Sequence, residues 1–275
     1  MLCLTRFRAC TKKNVFLDLV KDLRFRTEAP IADCSAALKE TGGDVEKAME
    51  VLRKKGAAKA MKKGSRVTEQ GSVVACIGGT FGAAVITVCS ETDFAARSIQ
   101  FQNACAKVKE RLQAKIIDSK GAILADPAEA HRSLVESTAD ELRATIAVLG
   151  ENVTIKSVEP LRLAPHVTDR ISIGSYTHGV LDVPDVGRIA GLVAVSCVDL
   201  NINNVESSTV VDVARHFVAC SGAEGNYVHQ NFFATEETVG QWLKRHGLRF
   251  SSSTVVEFGK DPIVHTAPQP RTNSN

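Results

Sequence analysis

Aromatic residues are scarce in this sequence: Phe, Trp and Tyr together make up only 5% of its 275 residues. Hydrophobic residues of all kinds still account for 44% of the chain, so we expect a core built mainly from Val, Ile, Leu and Ala. A chain of this length can bury one large core or two to three smaller ones. It contains no uninterrupted apolar run of about eighteen residues, so we predict no membrane-spanning helix and no membrane partner.

Patterns typical of metal sites and of enzymes are also missing. The sequence has eight cysteines, but none form Cys-x-x-Cys and no Cys/His cluster has the spacing of a zinc site. Several cysteines lie inside apolar runs, where a reduced thiol behaves as a small hydrophobe. There is no Ser/His/Asp order, no His-Glu-x-x-His and no phosphate-binding Gly-x-x-x-x-Gly-Lys-Ser/Thr loop. We therefore predict a reducing compartment, no metal, no cofactor, no nucleotide bound by the chain itself and no enzymatic chemistry.

The net charge of +3 is unevenly distributed along the chain. Residues 1–70 contain 16 Lys and Arg against 9 Asp and Glu, whereas the remaining residues contain 18 against 22. A basic N-terminal region favours a targeting role or an acidic partner. The excess is too small and too poor in aromatic residues to predict direct binding to nucleic acid.

The first residues are typical of a mitochondrial presequence. Four basic residues occur before the first acidic residue, Asp18, with Leu and Phe between them. Basic, acid-poor and amphipathic termini are features of mitochondrial targeting segments. We predict a presequence over residues 1–13; an untargeted flexible terminus is the alternative.

Residues 14–55 predict three short helices. Pro30 suits the start of the second helix, Gly42 and Gly43 suit its end, and Asp44 is a suitable cap for the third. About forty residues form a very small core, so such a module is usually a docking device on a larger body. Residues 56–70 then predict a basic linker, solvated and helical in part.

From residue 71 the sequence repeats a pattern of hairpin followed by helix. Strands are predicted over 71–77, 83–89, 174–181 and 189–197, and the helices that follow the two hairpins over 93–113 and 209–220. Two copies favour a duplicated α+β subdomain over a solenoid, which needs more repeats. Two helices over 127–149, an edge strand over 151–156, a helix over 236–246 and a strand over 249–258 complete the prediction. We assign 71–165 and 166–260 to the two core subdomains and 261–275 to a disordered tail.

The junction after the first hairpin carries the most informative residues. Ser90 is a candidate helix N-cap, and Asp93 three residues later would complete an approximate capping box. Phe94 follows at the start of the helix. From the pattern alone, Phe94 is either a core anchor or a side chain aimed at a partner.

The sequence Thr92-Asp93-Phe94, with Cys89 and Glu91 before it and Phe101-Gln102 after it, resembles the signature of elongation factor Ts. The segment that includes Asp33-Cys34 resembles the ubiquitin-associated-like (UBA-like) N-terminal domain of this family, although Ser35 stands where the family usually has Lys. Three later segments resemble family motifs in the right order: Leu149–Val153, Gly174–Gly179 and Val239–His246. Between Cys220 and Gly225 the chain is shorter than bacterial members, which carry a helical hairpin there, and the family's C-terminal helix is also missing.

The resemblance implies a guanine nucleotide exchange factor for mitochondrial elongation factor Tu, acting in the mitochondrial matrix without covalent chemistry. In the family, the Thr-Asp-Phe loop inserts its Phe between helices of the partner's G domain and disturbs the Mg²⁺ and phosphate contacts of GDP. The residues that this implies as partner contacts are Thr92, Asp93, Phe94, Gly150, His178, Asp33 and Cys34. A ubiquitin-type adaptor, a mitoribosome-associated protein and an enzyme with an unrecognised site are the competing interpretations.

Overall fold

The computed structural model groups the chain into two compact units. The first takes its residues from Met1–Val67 and Asp140–Val153, and the second from Thr68–Ala139 and Thr154–Asn275. Side chains are described from residue 15 onward, and the backbone is described for residues 4–163, 171–198, 205–221, 229–233 and 235–267. The predicted α+β class is confirmed, but the units do not follow the expected boundaries, because residues 140–153 group with the N-terminal helices.

The first unit is helical. Its core lies between its first three helices, each of which contributes one apolar face. The buried side chains of this core are Val20, Leu23, Cys34, Ala37, Leu38 and Ala48. The helices of this unit are α1 (Leu4–Thr27), α2 (Ile31–Glu40), α3 (Val45–Lys63) and most of α7 (Ala139–Leu149).

Helix α3 is longer than the sequence predicts. It begins as expected after Asp44, whose carboxylate accepts a hydrogen bond from the Lys47 amide at 3.1 Å. It then continues to Lys63 through the stretch predicted to be a linker. Gly56 is buried within it, and a Cβ at Gly56 would lie 2.8 Å from the Cβ of Ala147 on α7. This close approach explains a glycine inside a helix, where it costs about 1 kcal/mol relative to alanine.

In the described part of the second unit, two four-stranded sheets pack face to face. The first sheet has the order β3-β2-β1-β5 and the second the order β4-β6-β7-β8. The strands of the first sheet are β1 (Gln70–Ile77), β2 (Ala83–Ser90), β3 (Val153–Pro160) and β5 (Val186–Gly187). Those of the second are β4 (Ile171–His178), β6 (Ile189–Cys197), β7 (Leu248–Glu257) and β8 (Ile263–Thr266).

Strand β6 shows how both faces of a sheet are buried. Leu192 and Ala194 pack toward the first sheet, and Val193 and Val195 pack toward the helices on the other side. This alternation is the two-residue period of a strand, and burial on both faces produces the continuous apolar run seen in the sequence.

Helices cover the outer faces of both sheets. Helices α5 and α6 belong to the half of the unit built on the first sheet, whereas α8 and α9 pack against the second. The helical segments are α4 (Asp93–Arg97), α5 (Ile99–Asp118), a 3-10 turn (Ala122–Ala125), α6 (Pro127–Ser137), α8 (Ser207–Ala219) and α9 (Val239–Arg245).

The structure corrects several sequence predictions in this unit. The helix expected over 93–113 is two helices, because Ser98 ends α4 and caps α5 by accepting a hydrogen bond from the Phe101 amide at 3.3 Å. The segment between the strands predicted over 174–181 and 189–197, which the sequence predicts as a loop, contains β5, which pairs with β1. The predicted disordered tail contains β8, which pairs with β7. The shortening expected between Cys220 and Gly225 and the missing C-terminal helix concern residues 222–228 and 268–275, outside the described residues.

Candidate functional site

Helix α4 begins directly where β2 leaves the first sheet. The Ser90 hydroxyl donates to the Thr92 carbonyl at 3.0 Å and so shapes the turn. The Thr92 hydroxyl then accepts from the Ala95 amide at 3.2 Å, which makes Thr92 the N-cap of α4. The predicted cap at Ser90 and its capping box with Asp93 are therefore wrong. The sequence offered two hydroxyl residues, and the one nearer the helix is the cap.

Phe94 lies at the surface. Its exposed fraction is 87%, whereas Ala95 and Ala96 beside it are buried against the body of the unit. Helix α4 is thus anchored through two small side chains and presents a large aromatic one to solvent. Of the two sequence interpretations, the core anchor is wrong. An exposed aromatic on an anchored element is typical of an interface residue.

Asp93 flanks Phe94 in the first turn of α4, where the helix dipole favours a carboxylate. It pairs with Arg97 one turn later, with 2.9 Å between Oδ2 and Nε. Both side chains are largely exposed, and exposed pairs contribute only about 0–1 kcal/mol to stability. The pair therefore orients Asp93 without burying it.

His178 ends β4 and is exposed. Its carbonyl accepts a hydrogen bond from the Arg188 amide at 2.8 Å, which holds the strand end against the start of β6. A Cβ on Gly187 would lie 2.5 Å from this carbonyl and 2.7 Å from Thr177 Cγ2. Only glycine permits this close approach, so Gly187 is a local requirement for the position of His178 that the sequence prediction missed.

The loop over residues 179–188, which follows His178, reaches from the second sheet to the first sheet and α5. Lys109 on α5 pairs with Asp185 at 2.6 Å between Nζ and Oδ2. Gln102, also on α5, binds the backbone of this loop and the last residue of α4. The structure therefore brings the Phe94 helix and the strand end at His178 into one connected region of the second unit.

The other predicted contact residues belong to the first unit. Cys34 is fully buried in the core between α1, α2 and α3, and its thiol donates to the Ala29 carbonyl at 3.5 Å. Its expected direct contact with a partner is therefore wrong, since it has no accessible surface. Asp33 is partly exposed and pairs with Lys59 at 2.8 Å between Oδ2 and Nζ. Gly150 has φ of +75°, and its carbonyl accepts a hydrogen bond from the Lys63 ammonium.

The described residues also bear on two other kinds of site, metal centres and membrane spans. Among them, no group of three or more His, Cys, Asp and Glu side chains is arranged to hold a metal ion. None of the described helices is both long and apolar enough to cross a membrane.

Comparison with known proteins assigns the family. The sequence profile described as Elongation factor TS matches residues 91–247. The chain belongs to the elongation factor Ts family. Members of this family act as nucleotide exchange factors for elongation factor Tu. The matched range begins one residue before Thr92 and contains α4, Gly150 and His178.

Relatives match over nearly the whole chain. The sequence is 78% identical over 271 residues to "Elongation factor Ts 1, mitochondrial" of Trypanosoma cruzi, covering 98% of this chain and 97% of the relative. It is 60% identical over 268 residues to "Elongation factor Ts, mitochondrial" of Leishmania infantum, covering 96% of each. It is 41% identical over 232 residues to the elongation factor Ts of the bacterium Xanthobacter autotrophicus, covering 83% of this chain and 70% of that protein. This member of the elongation factor Ts family is thus of the mitochondrial type.

Proposed function

We propose that this chain promotes GDP release from mitochondrial elongation factor Tu by inserting Phe94 near the Mg²⁺ and phosphate contacts of the nucleotide. The exposure of Phe94 on an anchored helix carries the proposal. An aromatic side chain that is already ordered and desolvates on binding is a typical interface anchor. Asp93 makes polar contacts beside it, and Thr92 sets the start of the helix that presents both.

Exchange by this route is a matter of thermodynamic linkage. If the chain binds nucleotide-free elongation factor Tu more tightly than the GDP-bound form, it weakens GDP binding by the same factor. No covalent intermediate forms, and the chain binds no nucleotide itself. Because the coupling is reciprocal, GTP binding weakens the affinity of elongation factor Tu for the chain, and the chain is displaced.

The remaining surface residues extend the contact. His178 contacts elongation factor Tu from the end of β4, in the region that the loop over 179–188 connects to α4. In the first unit, Asp33 and the turn at Gly150 make further contacts with the same partner. Cys34 supports these contacts indirectly, because its buried thiol packs the helix that carries Asp33.

The chain acts in the mitochondrial matrix. Relatives named as mitochondrial proteins and the acid-free basic segment over residues 1–13 support this location. A reporter fused to the full chain should accumulate in mitochondria, and the same fusion lacking residues 1–13 should remain cytosolic. Mitochondrial accumulation of the shortened fusion would contradict a presequence at 1–13.

Release of labelled GDP from mitochondrial elongation factor Tu tests the proposed activity. The full chain should accelerate release strongly, and Phe94→Ala should lose most of the acceleration, since truncating a central aromatic anchor typically costs roughly 2–4 kcal/mol of binding. An unchanged release rate with the wild-type chain would exclude the exchange activity, and full acceleration by Phe94→Ala would exclude the insertion.

Phe81→Ala is the matched control. Phe81 is also exposed, but it lies in the turn between β1 and β2, at the opposite end of the hairpin from α4. The same change of side chain there should leave GDP release at the wild-type rate. A comparable loss from both variants would indicate a general effect of removing surface aromatics.

A further inference from the structure

We propose that Gln102 is a positioning residue for exchange: its buried side-chain amide holds the loop over 179–188 against α4, so that Phe94 and the loop residues Val180 and Leu181 face elongation factor Tu as one rigid surface. This inference rests on the proposed function of Phe94. It adds a second apolar element to the contact and names the residue that fixes the geometry of both.

Four hydrogen bonds of one side chain carry the proposal. Gln102 Nε2 donates to the carbonyl of Arg97 at 3.0 Å and to the Asp182 carboxylate at 3.4 Å. Gln102 Oε1 accepts from the backbone amides of Asp182 at 3.0 Å and Val183 at 3.2 Å. The donor group therefore binds the last residue of α4 and a carboxylate of the loop, and the acceptor group binds two backbone amides of the loop.

Burial makes these bonds significant. Gln102 is only 1% exposed, and a buried amide costs free energy unless its hydrogen bonds are made. An apolar side chain of the same length would fill the space without any buried polar group that could lose its hydrogen bonds. A buried polar group whose bonds are all made specifies one arrangement of the segments it joins. Here those segments are α4 and the loop after His178.

Both segments carry exposed apolar side chains a few residues from the ones that Gln102 binds. Phe94 precedes Arg97 by three residues, which is about one helical turn. Leu181 is the neighbour of Asp182, and its exposed fraction is 56%; Val180 is also exposed. One amide group therefore joins two segments that each carry exposed apolar side chains.

The far end of the loop is held independently. Asp185 pairs with Lys109 at 2.6 Å between Oδ2 and Nζ, and its carbonyl accepts from the Ala75 amide at 3.1 Å. Val186 and Gly187 then pair with β1. Since these contacts fix the end of the loop near β5, loss of the Gln102 bonds frees the part that carries Val180 and Leu181.

The test is Gln102→Met in the full chain, which keeps the length of the side chain and removes all four hydrogen bonds. We expect the concentration of chain needed for half-maximal GDP release to rise about tenfold, as the loss of a net hydrogen-bond contribution near 1.4 kcal/mol implies. Amide hydrogen exchange at Asp182 and Val183 should become faster. Gln113→Met is the matched control, because Gln113 on the same helix donates to the Ile77 carbonyl at 2.8 Å, away from the loop.

A double variant separates positioning from general stability. If Gln102 acts through the surface that contains Phe94, the loss of activity in Gln102→Met combined with Phe94→Ala should be smaller than the product of the two single losses. Multiplying losses would indicate two independent effects and overturn the proposal. So would wild-type GDP release by folded Gln102→Met, or an equal loss from Gln113→Met.

Leu181→Ala keeps the proposal testable if Gln102→Met does not fold, because it removes an exposed apolar side chain from the part of the loop that Gln102 holds. It should raise the half-maximal concentration in the same direction but less, and no change would count against the proposal. The activities of the variants distinguish failure of this proposal from failure of the proposed function. If Phe94→Ala exchanges normally, the insertion itself is wrong; if Phe94→Ala is inactive but the Gln102 and Leu181 variants are normal, only the positioning role is wrong.

Discussion

In the half of the second unit built on the first sheet, Phe94 of α4 is 87% exposed; in the half built on the second sheet, Phe217 of α8 is 3% exposed and stacks on Phe250 with 5.3 Å between ring centres. Both halves consist of a hairpin followed by helices, as the sequence repeat predicts. They differ in whether the aromatic side chains near the hairpin are buried or exposed.

The difference shows that two halves of similar architecture can use their aromatic residues differently, one for stability and one at the surface. The second half buries its aromatic residues in a cluster that includes Phe232 and Trp242 and so stabilises the fold. The first half builds its core mostly from aliphatic residues and cysteine, which leaves Phe94 available at the surface. Exposure alone does not distinguish Phe94, since Phe25 is equally exposed; what distinguishes Phe94 is its place on a helix that Ala95 and Ala96 anchor at the end of β2.

Phe217→Ala and Phe94→Ala are the same chemical change in these two settings, and they should give the largest contrast. Phe217→Ala should lower the free energy of unfolding by about 3–5 kcal/mol through lost burial and a cavity. Phe94→Ala should change it by only about 0.5 kcal/mol or less, as is usual at exposed positions. Urea denaturation followed by circular dichroism measures both, and a large loss of stability in Phe94→Ala would contradict the comparison.

Alanine substitutions at the N-caps of α4 and α9 give a second comparison between the two halves, with a smaller expected effect on stability. Thr92 caps α4, and Thr238 caps α9 in a capping box with Gln241. Each Thr→Ala change should cost about 1 kcal/mol of stability. Only Thr92→Ala should also slow GDP release, because only α4 presents Phe94. Thermal melting and GDP release measured on both variants decide this; equal exchange activity in the two would show that the start of α4 does not matter for exchange.

The smallest effect concerns pH. Burial lowers the pKa of His216, whose Nδ1 accepts from the Phe233 amide at 3.2 Å. The unfolded chain therefore binds a proton at higher pH than the folded one, and stability should fall as pH drops below about 6.5. Unfolding measured from pH 8 to pH 5 should show this decline, and His216→Gln should reduce it. An unaltered slope in the variant would assign the pH dependence to other groups.

The sequence was sufficient for elements with a strong local pattern. The strand over 83–89 and the strand over 189–197 are visible as apolar, β-branched runs, and both are present as β2 and β6. Asp44 was identifiable as a helix cap. These features depend on residues close in sequence, so periodicity and capping chemistry reveal them.

Features that depend on distant contacts were not predictable in the same way. Strand β5 has two residues and exists because β1 pairs with it. The spacing of Cys34, Ala37 and Leu38 predicts that they share the inward face of a helix, but only the folded chain shows that the neighbouring helices cover Cys34 completely. Gln102 is a polar residue on an amphipathic helix, and only the folded chain shows that its amide joins α4 to a loop eighty residues later.

The most direct test of the central claim is the affinity of the full chain for elongation factor Tu in its nucleotide-free and GDP-bound forms. For the wild-type chain, the ratio of the two dissociation constants must equal the factor by which the chain weakens GDP binding. If Phe94 carries the coupling, Phe94→Ala should reduce this ratio at least about 30-fold, the equivalent of roughly 2 kcal/mol. A ratio that stays at the wild-type value in Phe94→Ala would contradict the account.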